Sequence, residues 1–359
     1  MNSPAQTSPT VPEPPEQIGI AVVGAGYWGP NLARNFLAST NTDLRWIVDL
    51  DLDRARKVAG GHNGVSVTSS LEEVLADPGV HAIAIATPPA THLPLAMQAL
   101  EAGRHVLVEK PLATRAADGE ILVREAERRG LVLMCDHTFC YTPAVRTISA
   151  LVRSGDLGDI QYVDSIRVNL GLVQSDVDVF WDLAPHDLSI LDHILPEGVR
   201  PVAVSAHGAD PINSGQACVG YLTMPLSNGA IAHVTVNWLS PSKIRQMVIA
   251  GSKKMVVWDD MKPSQRISIV DSGVELQELD DLDDKTRLRV DYRIGDMLVP
   301  ALREGGEALA TMVDEFAASI REGRAPLTDG WSGVRILRLL EAAKVSLRSN
   351  GALITIEES

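Results

Sequence analysis

From Ile18 onward, short apolar runs alternate with stretches whose apolar positions recur every three to four residues. The runs Ile18 to Val23, Leu44 to Val48, Val65 to Val67, His81 to Ala86, His105 to Val108 and Leu131 to Cys135 predict strands. Between them, Asn31 to Leu37, the segment after Asp49, Leu71 to Leu75, His92 to Ala102 and Ala116 to Arg129 predict helices. Near-continuous apolar strands alternating with helices imply a parallel sheet covered on both faces.

Past residue 140 the pattern changes. A helix near Pro143 to Val152 is followed by strand-rich runs at Ile160 to Val168, Val202 to Ala206, Ala217 to Thr223, Ala230 to Trp238, Met247 to Ala250, Met255 to Trp258 and Ile267 to Val270. These predict an open, largely antiparallel sheet. Helices near Ala184 to Ile194, Ala308 to Ile320 and Val334 to Ser346 are expected over one of its faces, giving an α+β domain. The other face is left for water or for a second subunit.

Composition narrows the class. At 359 residues, with 45% hydrophobic and 22% charged positions, two ordinary globular domains are expected. A net charge of −14 argues against nucleic acid or an anionic membrane as partner, while leaving room for a local phosphate site. Cys135, Cys140 and Cys218 have no metal-ligand spacing, so no metal is expected, and they read as buried free thiols in a reducing cytoplasm. No apolar run reaches the length of a membrane span, and Met1 to Gln17, with five prolines, reads as a disordered leader.

The chemistry begins at Val22-Val23-Gly24-Ala25-Gly26-Tyr27-Trp28-Gly29, a glycine loop between the first strand and the first helix. Gly24 permits a tight turn, Gly26 lets the backbone approach a pyrophosphate, and Gly29 allows close packing of the helix whose free N–H groups face the phosphates. The second strand ends at Asp49, near the spacing expected of an acid that binds a ribose 2′-hydroxyl. A carboxylate there favours NAD over NADP; Arg54 nearby is expected to pair with Asp51 or Asp53. Thr87 and Pro88 end the fourth strand beside the cofactor, and His92 opens the helix after them. The cofactor-facing set is therefore Gly24, Gly26, Tyr27, Trp28, Gly29, Asp49, Thr87, Pro88, His92, Glu109 and Lys110.

Lys110, in Val108-Glu109-Lys110-Pro111, ends a strand where it can polarise a substrate oxygen at a bound nicotinamide. Asp182 and His186 are four apart at the predicted start of a helix, with Pro185 near its first turn, so they can share a face: a histidine to move a proton and a carboxylate to orient it. Read alone, the pair is more simply an N-cap aspartate and a helix-start histidine without chemistry. Asp187, Asp192 and His193 read as surface or capping residues.

The glycine loop, the Glu-Lys-Pro turn and the Asp-x-x-x-His helix, in this order and across the chain after the leader, resemble the glucose–fructose oxidoreductase, inositol dehydrogenase and MocA (Gfo/Idh/MocA) oxidoreductases. The resemblance implies a Rossmann domain over 18–139, a substrate-binding and oligomerising domain over 140–359, and catalytic roles for Lys110, Asp182 and His186. Gly26 to Asn31, His137-Thr138-Phe139, Trp181 to Ile190, Trp238 to Arg245 and Tyr292 to Asp296 look like the bacterial branch that oxidises nucleotide-linked sugars at C3. Its best-known members act on UDP-2-acetamido-2-deoxy-glucuronate. Two departures are Ala184, where many members have glycine, and Asp136, where glycine is common in this branch and an acid either reshapes the pocket or faces solvent.

Lys243, Arg245 and Arg293 are candidates for a diphosphate or sugar carboxylate, or alternatively surface partners of the acids from Asp280 to Asp284. Tyr141, Asn169 and Asn237 are candidates for sugar hydroxyls; His137 and Tyr292 join the substrate set through the branch motifs. Three functions are compatible with these residues: an NAD-dependent nucleotide-sugar dehydrogenase, a polyol dehydrogenase or NADP-dependent ketoreductase, and an NAD-sensing regulator without turnover. Lys110 and His186 remain alternatives for the base. The family resemblance implies a homodimer or homotetramer.

Overall fold

A computed structural model describes residues 16–171, 173–174, 177–277, 289–302 and 306–356. The leader, all but its last two residues, and the acidic stretch from Asp280 to Asp284 lie outside them. The first domain contains β1 (Ile18–Val23), α1 (Gly29–Ala38), β2 (Thr42–Val48), α2 (Leu52–Ala59), β3 (Ser66–Thr68), α3 (Leu71–Leu75), β4 (Ala82–Ile85), α4 (His92–Glu101), β5 (His105–Glu109), α5 (Ala116–Arg129) and β6 (Leu133–Asp136). The strands form one parallel sheet in the order β3-β2-β1-β4-β5-β6. The order reverses between β1 and β4, and a doubly wound sheet opens a crevice at the carboxyl ends of its strands at such a point. Gly24, Asp49, Thr87 and Lys110 all follow strand ends on that side.

Strand residues are buried alternately on the two faces, as a covered parallel sheet requires. Ile18, Ile20 and Val22 meet Leu32 and Phe36 of α1, while Ala21 and Val23 join Ala96, Leu100 and Leu122 from α4 and α5.

The second domain follows with α6 (Pro143–Arg153), β7 (Ile160–Leu170), α7 (Val179–Ile194), β8 (Ala203–Ala209), β9 (Val219–Pro225), β10 (Ile231–Asn237), β11 (Leu239–Gly251), β12 (Met255–Asp259) and β13 (Ile267–Val270). Then come β14 (Gly273–Gln277), β15 (Arg289–Arg293), β16 (Met297–Leu298), α8 (Ala308–Glu322), α9 (Gly330–Arg348) and β17 (Ile354–Thr355). The large sheet runs β16-β13-β12-β11-β7-β10-β9-β8-β17, antiparallel at every junction except β7 with β10. β14 and β15 pair as a separate arm. This is the expected α/β architecture of a Rossmann domain followed by a mostly antiparallel sheet.

Two helices depart from the expectation that all three would lie on the large sheet. Leu309, Met312, Val313 and Phe316 of α8 pack beside α1 in the core of the first domain. α9 serves both domains, with Val334 and Leu337 in the first core and Ile336, Leu340 and Ala343 in the second. An amphipathic helix specifies that it needs an apolar surface, not which one. α9 is apolar on two sides and is buried between the domains.

Candidate active site

A cleft of about 860 Å³ runs along the carboxyl edge of the first sheet, lined by Gly24, Gly26, Tyr27, Trp28, Asp49, Thr87, Pro88, Glu109 and Lys110 among others. Gly24 has φ 99°, and a Cβ there would lie 2.7 Å from the carbonyl oxygen of Ala86, so the turn accepts only glycine. A Cβ on Gly29 would stand 2.0 Å from the Gly24 carbonyl oxygen, whereas one on Gly26 would meet nothing within 4 Å. Gly26 thus borders open space where a ligand backbone can lie against the main chain. α1 begins just beyond it with no side-chain cap, so its first N–H groups face the cleft unpaired by the chain's own caps.

Asp49 holds this loop from the neighbouring strand end. Its Oδ2 accepts from the Ala25 amide at 2.7 Å and its Oδ1 from the Asp51 amide at 2.8 Å, leaving lone pairs for a ribose hydroxyl. Asp51 caps α2 through the amides of Asp53 and Arg54, and Arg54 lies 3.5 Å from Asp51 and 3.8 Å from Asp49. Asp53 pairs with Arg56 instead. These residues fit an adenine dinucleotide carrying a free 2′-hydroxyl.

His92 is not in that lining. It is fully buried, with Nδ1 2.8 Å from the Pro111 carbonyl oxygen and Nε2 2.8 Å from that of Thr87. Its position ties the cofactor loop to the turn after Lys110, because the first residue of α4 points into the domain.

At the far end of the cleft, Lys110 Nζ donates to the main-chain carbonyl of Asp182 at 3.1 Å and lies 3.7 Å from its carboxylate. The other carboxylate oxygen of Asp182 accepts from the indole N–H of buried Trp238 at 2.9 Å. α7 starts at Val179, with Asp178 as N-cap accepting from the amides of Phe180 and Trp181. Asp182 is therefore in the first turn rather than at the cap, and Pro185 lies inside the helix rather than near its start. His186 is one turn on, its ring edge-to-face with Phe139 at 5.1 Å. Burial first, then the positive charges of Lys110, Arg167 and Arg245, pull its pKa well below 6.5, so the imidazole is neutral near pH 7.

Behind His186, Asp187 is buried rather than on the surface. It receives Arg167 through both oxygens, at 2.5 and 3.1 Å, and Ser165 at 2.9 Å. The guanidinium carbon of Arg167 lies 4.5 Å from the centre of the Phe139 ring, and that of Arg245 lies 4.9 Å from it. Beneath Lys110, buried Glu109 and Asp136 face each other as register partners on β5 and β6. Burial, then the Asp136 carboxylate, pushes Glu109 well above the ordinary range, so it keeps its proton and donates it to Asp136. Asp136 also accepts from the Thr138 amide and hydroxyl. Buried there, it does not meet solvent.

The substrate candidates separate. His137 is buried, with no hydrogen-bond partner on either ring nitrogen among the described residues, and burial followed by Lys110 lowers its pKa to about 3. Tyr141, expected at a sugar hydroxyl, is buried in the first core with its hydroxyl 2.9 Å from Thr328 Oγ1. Asn237 accepts from the Leu239 amide at 2.6 Å, turning the chain from β10 into β11. Asn169 is half-buried on β7 and Lys243 is exposed on β11. Arg245 is bound to Asp260 at 2.6 Å, and Arg293 to Asp271 and the Lys253 carbonyl. Tyr292 is on β15, and its side chain lies outside the described residues. Sequence reasoning missed Trp238, Phe139 and Arg167 as supports of the site. A clue was available for Arg167, a charged residue inside an apolar alternating strand.

A family model described as an oxidoreductase family with an NAD-binding Rossmann fold matches residues 18–137, and one described as the C-terminal α/β domain of that family matches 150–355. The chain is 26% identical over 338 residues to UDP-N-acetylglucosamine 3-dehydrogenase of Acidithiobacillus ferrooxidans, covering 91% of this chain and 96% of that one. It is 23% identical to the scyllo-inositol 2-dehydrogenase (NADP(+)) of Bacillus subtilis, covering 94% of each. The solved structure of GenD2 from gentamicin A biosynthesis, in complex with NAD, superposes with a TM-score of 0.79 at 25% identity, covering 99% of this chain and 100% of that one. With both models matched along the two domains just described, the chain belongs to the Gfo/Idh/MocA family of NAD-binding oxidoreductases.

Proposed function

We propose that the protein interconverts an alcohol and a ketone at C3 of a nucleotide-linked sugar, with NAD as its cofactor. The observation that carries the reading is the junction of Lys110 with Asp182, where the dinucleotide cleft of the first domain meets α7 of the second. The similarity to a UDP-N-acetylglucosamine 3-dehydrogenase supports the nucleotide-sugar substrate.

Gly26 and the start of α1 would hold the pyrophosphate of NAD and Asp49 its ribose, and the cofactor would supply the acceptor or donor of the hydride. The chain's residues do the rest. Lys110 holds the C3 oxygen by an ammonium hydrogen bond, stabilising negative charge as the O–H bond breaks. Neutral His186 takes the hydroxyl proton, and in the reverse direction returns it to the forming alcohol. Asp182, fixed by Trp238, keeps Lys110 in place between substrate and α7. Tyr162, Tyr221 and Ile231, exposed together on the open sheet face, support a dimer or tetramer. The three buried free thiols support a cytoplasmic setting.

The polyol reading has one specific support, the scyllo-inositol dehydrogenase relative. Absorbance of reduced nicotinamide, followed with UDP- and dTDP-sugars and with free inositols, separates the two. The expected result is turnover with a nucleotide sugar that Lys110→Ala lowers by about 10²–10⁴-fold in kcat. Turnover with free polyols alone overturns the substrate. NAD binding without turnover of any sugar or polyol indicates a sensor.

A further inference from the structure

Beyond Lys110 the cleft continues into a second cavity of about 540 Å³, sharing Pro89 and Lys110 with the dinucleotide cleft. Trp181, Asp182 and Asp178 line one side of it, and Lys344 and Arg348 of α9 line another. Four residues apart on a helix, these two cations project from one face, about 6 Å apart along the axis. Both are exposed, and neither makes a hydrogen bond or ion pair among the described residues. Of the cavity's acids, Asp182 is engaged with Trp238 and Lys110, and Asp178 accepts from the amides that begin α7 while facing the charge of Lys344 from beyond ion-pair distance.

A cation near a helix C-terminus is favourable by itself and needs no ligand. What sets this pair apart is its placement in an acidic protein, at the end of the cavity that begins at Lys110. Arg245 and Arg293, by contrast, are held by Asp260 and Asp271. We propose that Lys344 and Arg348 are the anion-recognition subsite of the substrate cavity and hold the diphosphate of the nucleotide-linked sugar. The inference rests on the substrate class proposed above. The first phosphate of such a substrate hangs on C1, two ring bonds from the C3 that sits at Lys110. The second phosphate follows it outward, and Trp181 offers a partly buried ring beside the sugar. A neutral polyol has no group for these cations.

The test is steady-state kinetics of the holoenzyme and of the Lys344→Gln/Arg348→Gln double variant with an accepted nucleotide sugar. The expected result is a rise in sugar KM of about tenfold or more per cation lost, with kcat, NAD KM and melting temperature nearly unchanged. Inorganic pyrophosphate should compete with the sugar in the parent and lose its hold in the variant. A sugar KM within twofold of the parent overturns the subsite. If the parent turns over no nucleotide sugar, the substrate reading fails by itself. Calorimetric titration of the NAD-bound parent and variant with inorganic pyrophosphate then decides the subsite, which stands if only the parent binds and falls if both or neither do.

Discussion

Lys110 and Asp182 come from different domains, 72 positions apart in the chain, and meet twice: ammonium to main-chain carbonyl at 3.1 Å and ammonium to carboxylate at 3.7 Å. The carbonyl contact survives any change of the Asp182 side chain, so the lysine stays anchored while its charge partner can be removed. Asp182→Asn keeps an oxygen for the Trp238 indole and loses only the negative charge. We expect kcat to fall by about 10²-fold with NAD KM unchanged. Stopped-flow measurement of the hydride step checks it; an unchanged rate would remove Asp182 from the mechanism.

The glycine loop offers a separation of fold from cofactor binding. Gly26→Ala adds a methyl to open space, whereas Gly29→Ala drives one into the Gly24 carbonyl at 2.0 Å. The first variant should melt with the parent and bind NAD at least about tenfold more weakly. The second should be destabilised with or without cofactor. Fluorescence titration with NADH and thermal melts of both variants distinguish them.

The Arg167–Asp187 pair is buried and doubly bonded, with Ser165 completing the carboxylate's partners. Removing one member strands the other charge, so Asp187→Ala should cost about 3–5 kcal/mol of stability by urea unfolding. The apolar double replacement Arg167→Met/Asp187→Leu should recover much of it. Equal losses in both variants would show that the ion pair does more than satisfy itself.

Acid should weaken the fold earlier than carboxylate protonation alone requires. Burial lowers His105 and His193 to about 4 and His137 to about 3. Between pH 6.5 and about 4 the unfolded chain therefore binds protons at these positions that the folded chain does not, so stability present above 6.5 falls as pH falls through this window. Raised Glu109 acts in the opposite sense, its stabilisation full at low pH and lost as pH rises through its folded value. Burial also lowers His81, His92 and His186 and raises Asp136, Asp178 and Asp329, so six lowered histidines stand against four raised carboxyls and the histidines set the direction. Melting temperatures measured from pH 7.5 to 5 should decline steadily; a flat profile would contradict the burial of these rings.

Much of the first domain was legible because its signals are local. Strand alternation, the glycine loop and the acid at the end of β2 depend on neighbours a few residues apart, and the helix pair Asp182 and His186 on a one-turn spacing. α7 begins five residues before the expected Ala184, because Asp178 rather than Asp182 caps it. For Tyr141 and Asp136, polarity alone suggests a ligand or solvent contact. Each instead has buried partners, Thr328 for one and Glu109 with Thr138 for the other.

Local signals in the chain set the order of strands and helices, the dinucleotide loop and the lysine that ends β5, because periodicity and turn chemistry act over short stretches. Tertiary structure alone decided that α8 covers the first domain and that α9 lies between the two. It also decided that Trp238 holds Asp182 and that Lys344 and Arg348 face the cavity beyond Lys110. Those relationships join residues dozens to hundreds of positions apart. An apolar helix face, an indole N–H or a surface cation has many acceptable partners, and packing the whole chain selects among them.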